Sequence, residues 1–459
     1  MKKMYYIVII VLIILFIFVA APENEEVVED LHGQAGEVYM PAEQNSIIDD
    51  IEEQPIQEVE QNQKIKNEPK INPPFVPPPI EHIEERPEPP QPVSEFQSCG
   101  DKMDLLTHSP LDYDDFINIV PLGNLNPSGH TFPTDHIYWR LRPKNTNKPY
   151  ILSITSPLIS PGDGWITEIS SSEHLYATPT FTDYSFKLVF CEEFNIEFGH
   201  VSSLSEKLEK AFDNAKRNCD KYDTGGGGYA NCWTEELTKL KVSAGEVIGT
   251  AGGNPDQDAL DIWAHDFRIT PLNYVNPKRW DEFSLHVVCA LDYFVDEEKE
   301  KFYDLLGGYS PSADKDKKRT IEPLCGTVEQ DIKGTAQGVW FIEGTPQKVS
   351  YSEDSHLALV TDNIAPDFNV FSVGTSTEIE SDTYLFEPEK TGDVNIAFAD
   401  VRPGKTYCYE PFKPWEPTKG YGFVILLELL DEETLKIGKN QGKRCKKPYS
   451  FDDYVMFER

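Results

Sequence analysis

All eight cysteines of this 459-residue chain lie between Cys99 and Cys445, and none belongs to a C-x-x-C pair. The set is Cys99, Cys191, Cys219, Cys232, Cys289, Cys325, Cys408 and Cys445. An even number without metal-ribbon spacing reads as a disulfide framework, which restricts the folded part to this region and to an oxidising compartment. Cys219 and Cys232 close a short glycine-rich loop and are the expected local bridge. Cys408 with Cys445 is a second expected pair.

The stretch ahead of the framework supplies a route to such a compartment. Lys2 and Lys3 precede an uncharged run from Met4 to Ala21, and Glu23 closes it. That length suits a helix crossing ~30 Å of hydrocarbon. Positive charge before the run and acidic charge after it place the bulk of the chain outside the cytoplasm. Val19-Ala20-Ala21 also fits a cleavage site. Residues 1–21 therefore read as a membrane anchor or a signal segment, and the protein as extracytoplasmic, either membrane-anchored or secreted.

Residues 22–95 carry 19 acidic and 4 basic side chains, and ten prolines fall between Pro69 and Pro92. A segment so charged and so poor in apolar residues cannot offset its ordering entropy by burial, and it reads as a disordered acidic, proline-rich spacer. The chain has a net charge of −36; removing −15 for the spacer and +2 for Lys2 and Lys3 leaves −23 on residues 96–459. No basic stripe or aromatic RNA-binding motif accompanies that charge, which argues against nucleic acid as a partner.

Within residues 96–459, short apolar runs alternate with Gly, Pro, Asn and Asp, a strand-and-turn pattern. Candidate strands include Ile137–Leu141, Tyr150–Ile154, Trp165–Ile169, Phe186–Phe190, Phe194–Phe198 and Ala259–Trp263. Leu204, Leu208 and Phe212 at four-residue spacing predict a helix over Ser203–Asn218, and a second helix is expected at Asp296–Leu306. The polar run Ser310–Arg319 is a candidate boundary. Beyond it, Gly338–Ile342, Leu357–Val360, Phe368–Val373, Thr383–Phe386, Val394–Phe398, Thr406–Tyr409 and Gly422–Leu427 predict further strands. The expected fold is mainly β: a sheet domain with a helical insertion over residues 96–318, then a smaller β-sandwich or barrel over 319–459.

Four segments in order carry a family resemblance. SPLISPGDGWITEI (Ser156–Ile169), FKLVFCEEFNIEFGHVSSLS (Phe186–Ser205), KVSAGEVIGTAGG (Lys241–Gly253) and ALDIWAHD (Ala259–Asp266), preceded by GHTFPTDHIYW (Gly129–Trp139), resemble the strand succession of the lysostaphin-type zinc endopeptidases. The resemblance spans residues about 100–290 and implies a duplicated hybrid motif, or barrel-sandwich hybrid, architecture. It leaves the insertion Glu206–Leu240 longer than is usual in that family.

The resemblance also implies a zinc site and departs from it. His130 matches the first metal histidine, and Asp135 follows it at a changed spacing with His136 beside it. His200 matches a catalytic histidine. Ala259 stands where the final motif has its first histidine, and Asp261 where it has the metal-binding one. The implied metal set is His130, Asp135 and Asp261, with His136 and His265 as alternative ligands and zinc as the cofactor, or calcium or manganese given two carboxylates.

Three functions follow as expectations. The first is a cell-surface protein whose degenerate, non-catalytic metallopeptidase-like domain serves envelope binding or structural regulation, with an envelope polymer or a surface protein as partner. The second is an active zinc metallopeptidase cleaving cell-wall or other peptide cross-links. The third is a carbohydrate- or envelope-binding protein acting through its C-terminal β domain.

Overall fold

The computed structural model describes residues 96–459, except 145, 147, 225, 226, 311–314, 348–352, 414 and 415. The anchor and spacer expectations fall outside the described residues. The described chain is mainly β, 43% strand and 11% helix, in two large sheets that each own an apolar core.

The first sheet contains β1 (Phe116–Val120), β2 (His136–Leu141), β3 (Ser156–Ile159), β4 (Gly164–His174), β5 (Phe181–Val189), β6 (Phe194–Leu204), β7 (Lys216–Thr224), β8 (Gly227–Glu236), β9 (Leu240–Val242), β10 (Val247–Ala251) and β11 (Ala259–Asp266). Its main path runs β1-β2-β11-β6-β5-β4-β8-β7; β10 joins β3 to β6, and β9 joins β4. Period-two alternation sorts the side chains to two faces. Ile137, Trp139, Leu260, Ile262, Phe198 and Phe186 point into the core, almost without exposure. The residues between them line the other face.

The helix over Glu206–Asn214 is shorter than Ser203–Asn218, because Leu204 completes β6 and residues from Lys216 enter β7. It buries Leu208 and Phe212, with the Phe212 ring 6.1 Å from Tyr184 on the core face of β5. The remainder of the Glu206–Leu240 insertion is the β7–β8 hairpin, so the insertion is more strand than helix. Tyr150–Ile154 makes only isolated bridges, between Pro143 and Ser153 and between Leu152 and Pro255. The Asp296–Leu305 helix agrees with expectation.

All eight cysteines pair: Cys99–Cys191, Cys219–Cys232, Cys289–Cys325 and Cys408–Cys445, both expected bridges included. Four disulfides with no free thiol belong to an oxidising environment. The polar run at Ser310–Arg319 forms part of a small hairpin, Gly307–Ser310 against Lys315–Lys318.

The second sheet has ten strands from Gly338 to Glu458, in antiparallel pairs throughout. Val394–Phe398 contributes only bridges, while Thr434–Gln441 and Val455–Glu458 are strands that the apolar pattern did not single out. Trp340, Leu359, Phe371, Tyr384, Phe398, Ile425 and Leu427 fill its core. A third cluster joins the sheets: Phe132 and Tyr274 from the first region pack with Val339, Phe341, Ala358 and Val360 of the second.

Candidate functional site

The face of the first sheet opposite its core gathers a row of histidines and carboxylates. Register places Asp261 of β11 between Tyr138 of β2 and Gly199 of β6, and Trp263 opposite His136. Asp261 Oδ2 lies 3.5 Å from His136 Nε2 and 3.3 Å from His200 Nε2. His200 Nδ1 is 2.9 Å from Asp183 Oδ2 on β5, and that same oxygen accepts from Gln257 Nε2 at 2.7 Å and lies 3.4 Å from His174 Nε2. Imidazoles and carboxylates thus alternate across five strands.

His200 owes its aim to a bulge. The β5–β6 register shifts between Tyr184 and Phe186, and His200 adopts φ 57°, a left-handed conformation rare outside glycine. An inserted residue of this kind bends the strand and redirects its side chain, so His200 turns toward Asp183 and Asp261. Gly199 beside it is required for a different reason. A Cβ there would stand 2.8 Å from Trp263 Cζ3, so only hydrogen leaves room for the indole.

Trp263 in turn fixes the neighbouring groups. Its Nε1 donates to Asp135 Oδ1 at 2.8 Å, its ring lies 4.1 Å from the His136 ring, and Asp135 Oδ1 is 3.1 Å from His136 Nδ1. An ionised carboxylate only accepts, so this contact places a proton on Nδ1 and leaves Nε2 directed into the site. His136 Nε2 and Asp261 Oδ1 are both buried without a hydrogen-bond partner. His130 reaches the cluster from a tight turn closed by reciprocal Asn126–His130 backbone bonds, its ring 5.3 Å from that of His136.

The electrostatics divide these groups. Burial and the neighbouring His136 push His130 down to about 4, against the pull of Asp261 and Asp135, so it is neutral at physiological pH. Burial also opposes charge on His200, but the Asp261 and Asp183 carboxylates outweigh it and raise the imidazole to about 9. Asp183 is held well below the usual carboxylate range despite its burial, by the bonds from His174 and His200. Asp135 is lowered likewise by His136 and Trp263.

Of the residues singled out from sequence, His130, His136, His200 and Asp261 come together. Asp135 sits one layer behind, bonded to His136 and Trp263. His265 lies further along β11, 3.2 Å from Asn195 Oδ1, and burial lowers it to about 4. Asp183, His174 and Gln257 join the site without having been picked out as site residues, and Trp263 lines it. A lone aspartate in the alternating strand FTDYSFKLV was the available signal for the first of them.

The donor atoms of the histidine cluster remain spread out. Among the described residues, the group with three donor atoms within 4.8 Å of one another is Cys99, Cys191 and Glu193, whose two sulfurs are bonded to each other and so are not thiolate ligands. No family model, characterised protein or solved structure matches this chain.

Proposed function

We propose that this protein is an extracytoplasmic module whose first sheet holds a divalent metal ion through His130, His136 and Asp261, and that it hydrolyses an amide bond in an envelope polymer. The observation that carries the reading is the pair of buried atoms without a hydrogen-bond partner, His136 Nε2 and Asp261 Oδ1, on side chains that approach to 3.5 Å. Two imidazole nitrogens and one carboxylate form a donor set that zinc accepts. The Asp135–His136 contact has the form of a carboxylate supporting a ligand histidine from behind. Relative to the zinc-endopeptidase motif the chain resembles, histidine and carboxylate have changed places between β2 and β11. The residue types, two histidines and one aspartate, are kept although their order in the motif is not.

A bound zinc ion lowers the pKa of water and polarises a carbonyl. The chain's own groups supply the rest. His200, a cation below about pH 9 in the metal-free protein, donates toward Asp183 and Asp261 and is placed to hold a proton beside the donor set. Asp183 fixes its ring orientation, as a carboxylate does for a general acid–base histidine. Trp263 walls off one side.

One observation favours binding without turnover. Ala259, on the same face and opposite Arg140, offers no imidazole where the resembled motif has a second catalytic histidine. The two readings separate on one experiment. Purified ectodomain is assayed for zinc stoichiometry and for chelator-sensitive cleavage of cross-linked envelope peptides, alongside His136→Ala and His200→Ala. The hydrolase reading expects one zinc per chain, lost in His136→Ala, and cleavage lost in both. Zinc without cleavage leaves the binding reading; zinc unaffected by His136→Ala overturns the donor set.

A further inference from the structure

The β7–β8 hairpin belongs to the long Glu206–Leu240 insertion, and the proposed metal chemistry makes no use of it. Its register, continued through β4 and β5, lines up three rows on the face that carries the site. The outermost row is Tyr222, Tyr229, His174 and Phe181. The second is Asp220, Asn231, Ser172 and Asp183, and the third Asn218, Trp233, Ser170 and Ser185. Asp183 is also the carboxylate bonded to His200, so these rows run directly into the site.

The outer row is a continuous aromatic surface. Tyr222 and Tyr229 stack at 5.4 Å, Tyr229 meets His174 edge-on at 5.1 Å, and His174 stacks on Phe181 at 4.2 Å. The surface is open to solvent: Tyr222 is 45% exposed, Trp233 36%, and Tyr176 in the adjoining β4–β5 turn 69%. Large rings left uncovered are costly in water, and clustering of this kind marks a binding surface. The Cys219–Cys232 bridge crosses the hairpin and pins it.

We infer that this strip is a saccharide-binding subsite that seats a glycan chain leading into the metal site. A sugar ring presents an apolar C–H face and a rim of hydroxyls. Tyrosine and tryptophan faces match the former, and planar amides and carboxylates match the latter. Asn218, Asn231 and Asp220 alternate with the rings, and Asn231 Nδ2 bonds the Tyr222 hydroxyl at 3.2 Å while its buried Oδ1 has no partner. A peptide suits the strip less well. The rows cross the strands, whose interior backbone groups are already paired and so offer a peptide no edge to extend. With strands about 4.8 Å apart, the path from Tyr222 on β7 to His200 on β6 spans about 20 Å, the length of several sugar rings.

Placing the strip as a subsite of the hydrolytic centre rests on the proposed function, but its residues are separate from the metal donors. The test titrates the full ectodomain, by calorimetry, with neutral, N-acetylated and acidic oligosaccharides of six rings, and with a glycine- and alanine-rich peptide as the competing class. Tyr222→Ala and Trp233→Ala should each weaken saccharide binding several-fold to about tenfold, the scale of one lost aromatic contact. Tyr222→Phe should retain most of it. Zinc content should be unchanged in all three, and His136→Ala should lose zinc while keeping the sugar. Absence of saccharide binding across the panel overturns the inference, as does binding indifferent to both alanine variants or peptide binding that depends on Tyr222. Intact disulfides and an unchanged melting midpoint establish that the variants are folded.

Discussion

The two sheets are built from similar strands but place their polar residues differently. The second fills its core with Trp340, Phe371, Tyr384 and Phe398 and contains a single histidine, His356. The first buries His136, Asp183, Asp261 and His265 along one face, with a strained residue at its centre. Buried polar groups whose hydrogen bonds are incomplete cost stability, and on the first sheet they include imidazoles and carboxylates gathered on one face, which is what the proposed function draws on. The second still bears on the site. Phe132, two residues from His130, packs 5.2 Å from Phe341 and 5.5 Å from His356, and its backbone N–H donates to Glu353 Oε2 at 2.9 Å. The turn that delivers His130 is therefore held from the second sheet.

That division can be broken from either side. Phe371→Ala removes a fully buried ring from the second core and should cost roughly 3–5 kcal/mol. If the second sheet only displays the first, zinc affinity in the surviving folded fraction should match the wild type. The buttressing of the His130 turn leads to the opposite expectation: weaker zinc binding from a substitution remote from every donor. Denaturant unfolding and zinc titration of the same sample decide it. Gly199→Ala probes the first sheet. The added methyl must displace Trp263, costing about 1–3 kcal/mol by overpacking and loosening the Asp135–His136 pair. Zinc affinity should fall about tenfold, the lower end for loss of a supporting contact, while saccharide binding at Tyr222 is retained.

Much of this arrangement was legible in the sequence, for physical reasons that differ by element. Strand periodicity and turn residues marked the long central strands of the first sheet and most strands of the second, because burial of alternate side chains is a local signal. His130, His200 and Asp261 were picked out from an ordered succession of short segments that the fold does bring onto one face. Asp183 and Gln257 escaped, since their roles depend on cross-strand register, which no single segment encodes. The sequence left Asp135 and His136 as alternatives for one ligand position. Adjacent strand residues point to opposite sides, and which one faces a site is set by pairing with β11. The β7–β8 hairpin was hidden for a similar reason: KRNCDKYDT is too polar to read as a strand and is held by its partner and a disulfide.

The smallest effect concerns Glu353, the second sheet's carboxylate on the His130 turn. Burial raises it to about 8, and burial raises Glu329 to about 7. In the unfolded chain both ionise near their ordinary 4.5, so between that pH and their folded values the native state binds more protons and stability falls as pH rises. His200, raised to about 9, adds to that decline from pH 6.5 upward. On the acid side, His130, His265 and His356 are all pushed down to about 4, chiefly by burial. There the unfolded chain takes up protons the native state refuses, and stability falls as pH drops below 6.5. The two sets oppose each other between about pH 4.5 and 6.5, so the metal-free protein should be most stable on the acid side of pH 6.5 and lose stability steadily above it. Gln at position 353 keeps an acceptor for the Phe132 N–H but cannot ionise. Glu353→Gln should gain on the wild type progressively from about pH 4.5 to 8 and hold a constant advantage above, with no difference below about pH 4.5. Melting midpoints across that range check it, and a variant that instead loses stability at all pH values would mean that the ionised carboxylate is what secures the turn.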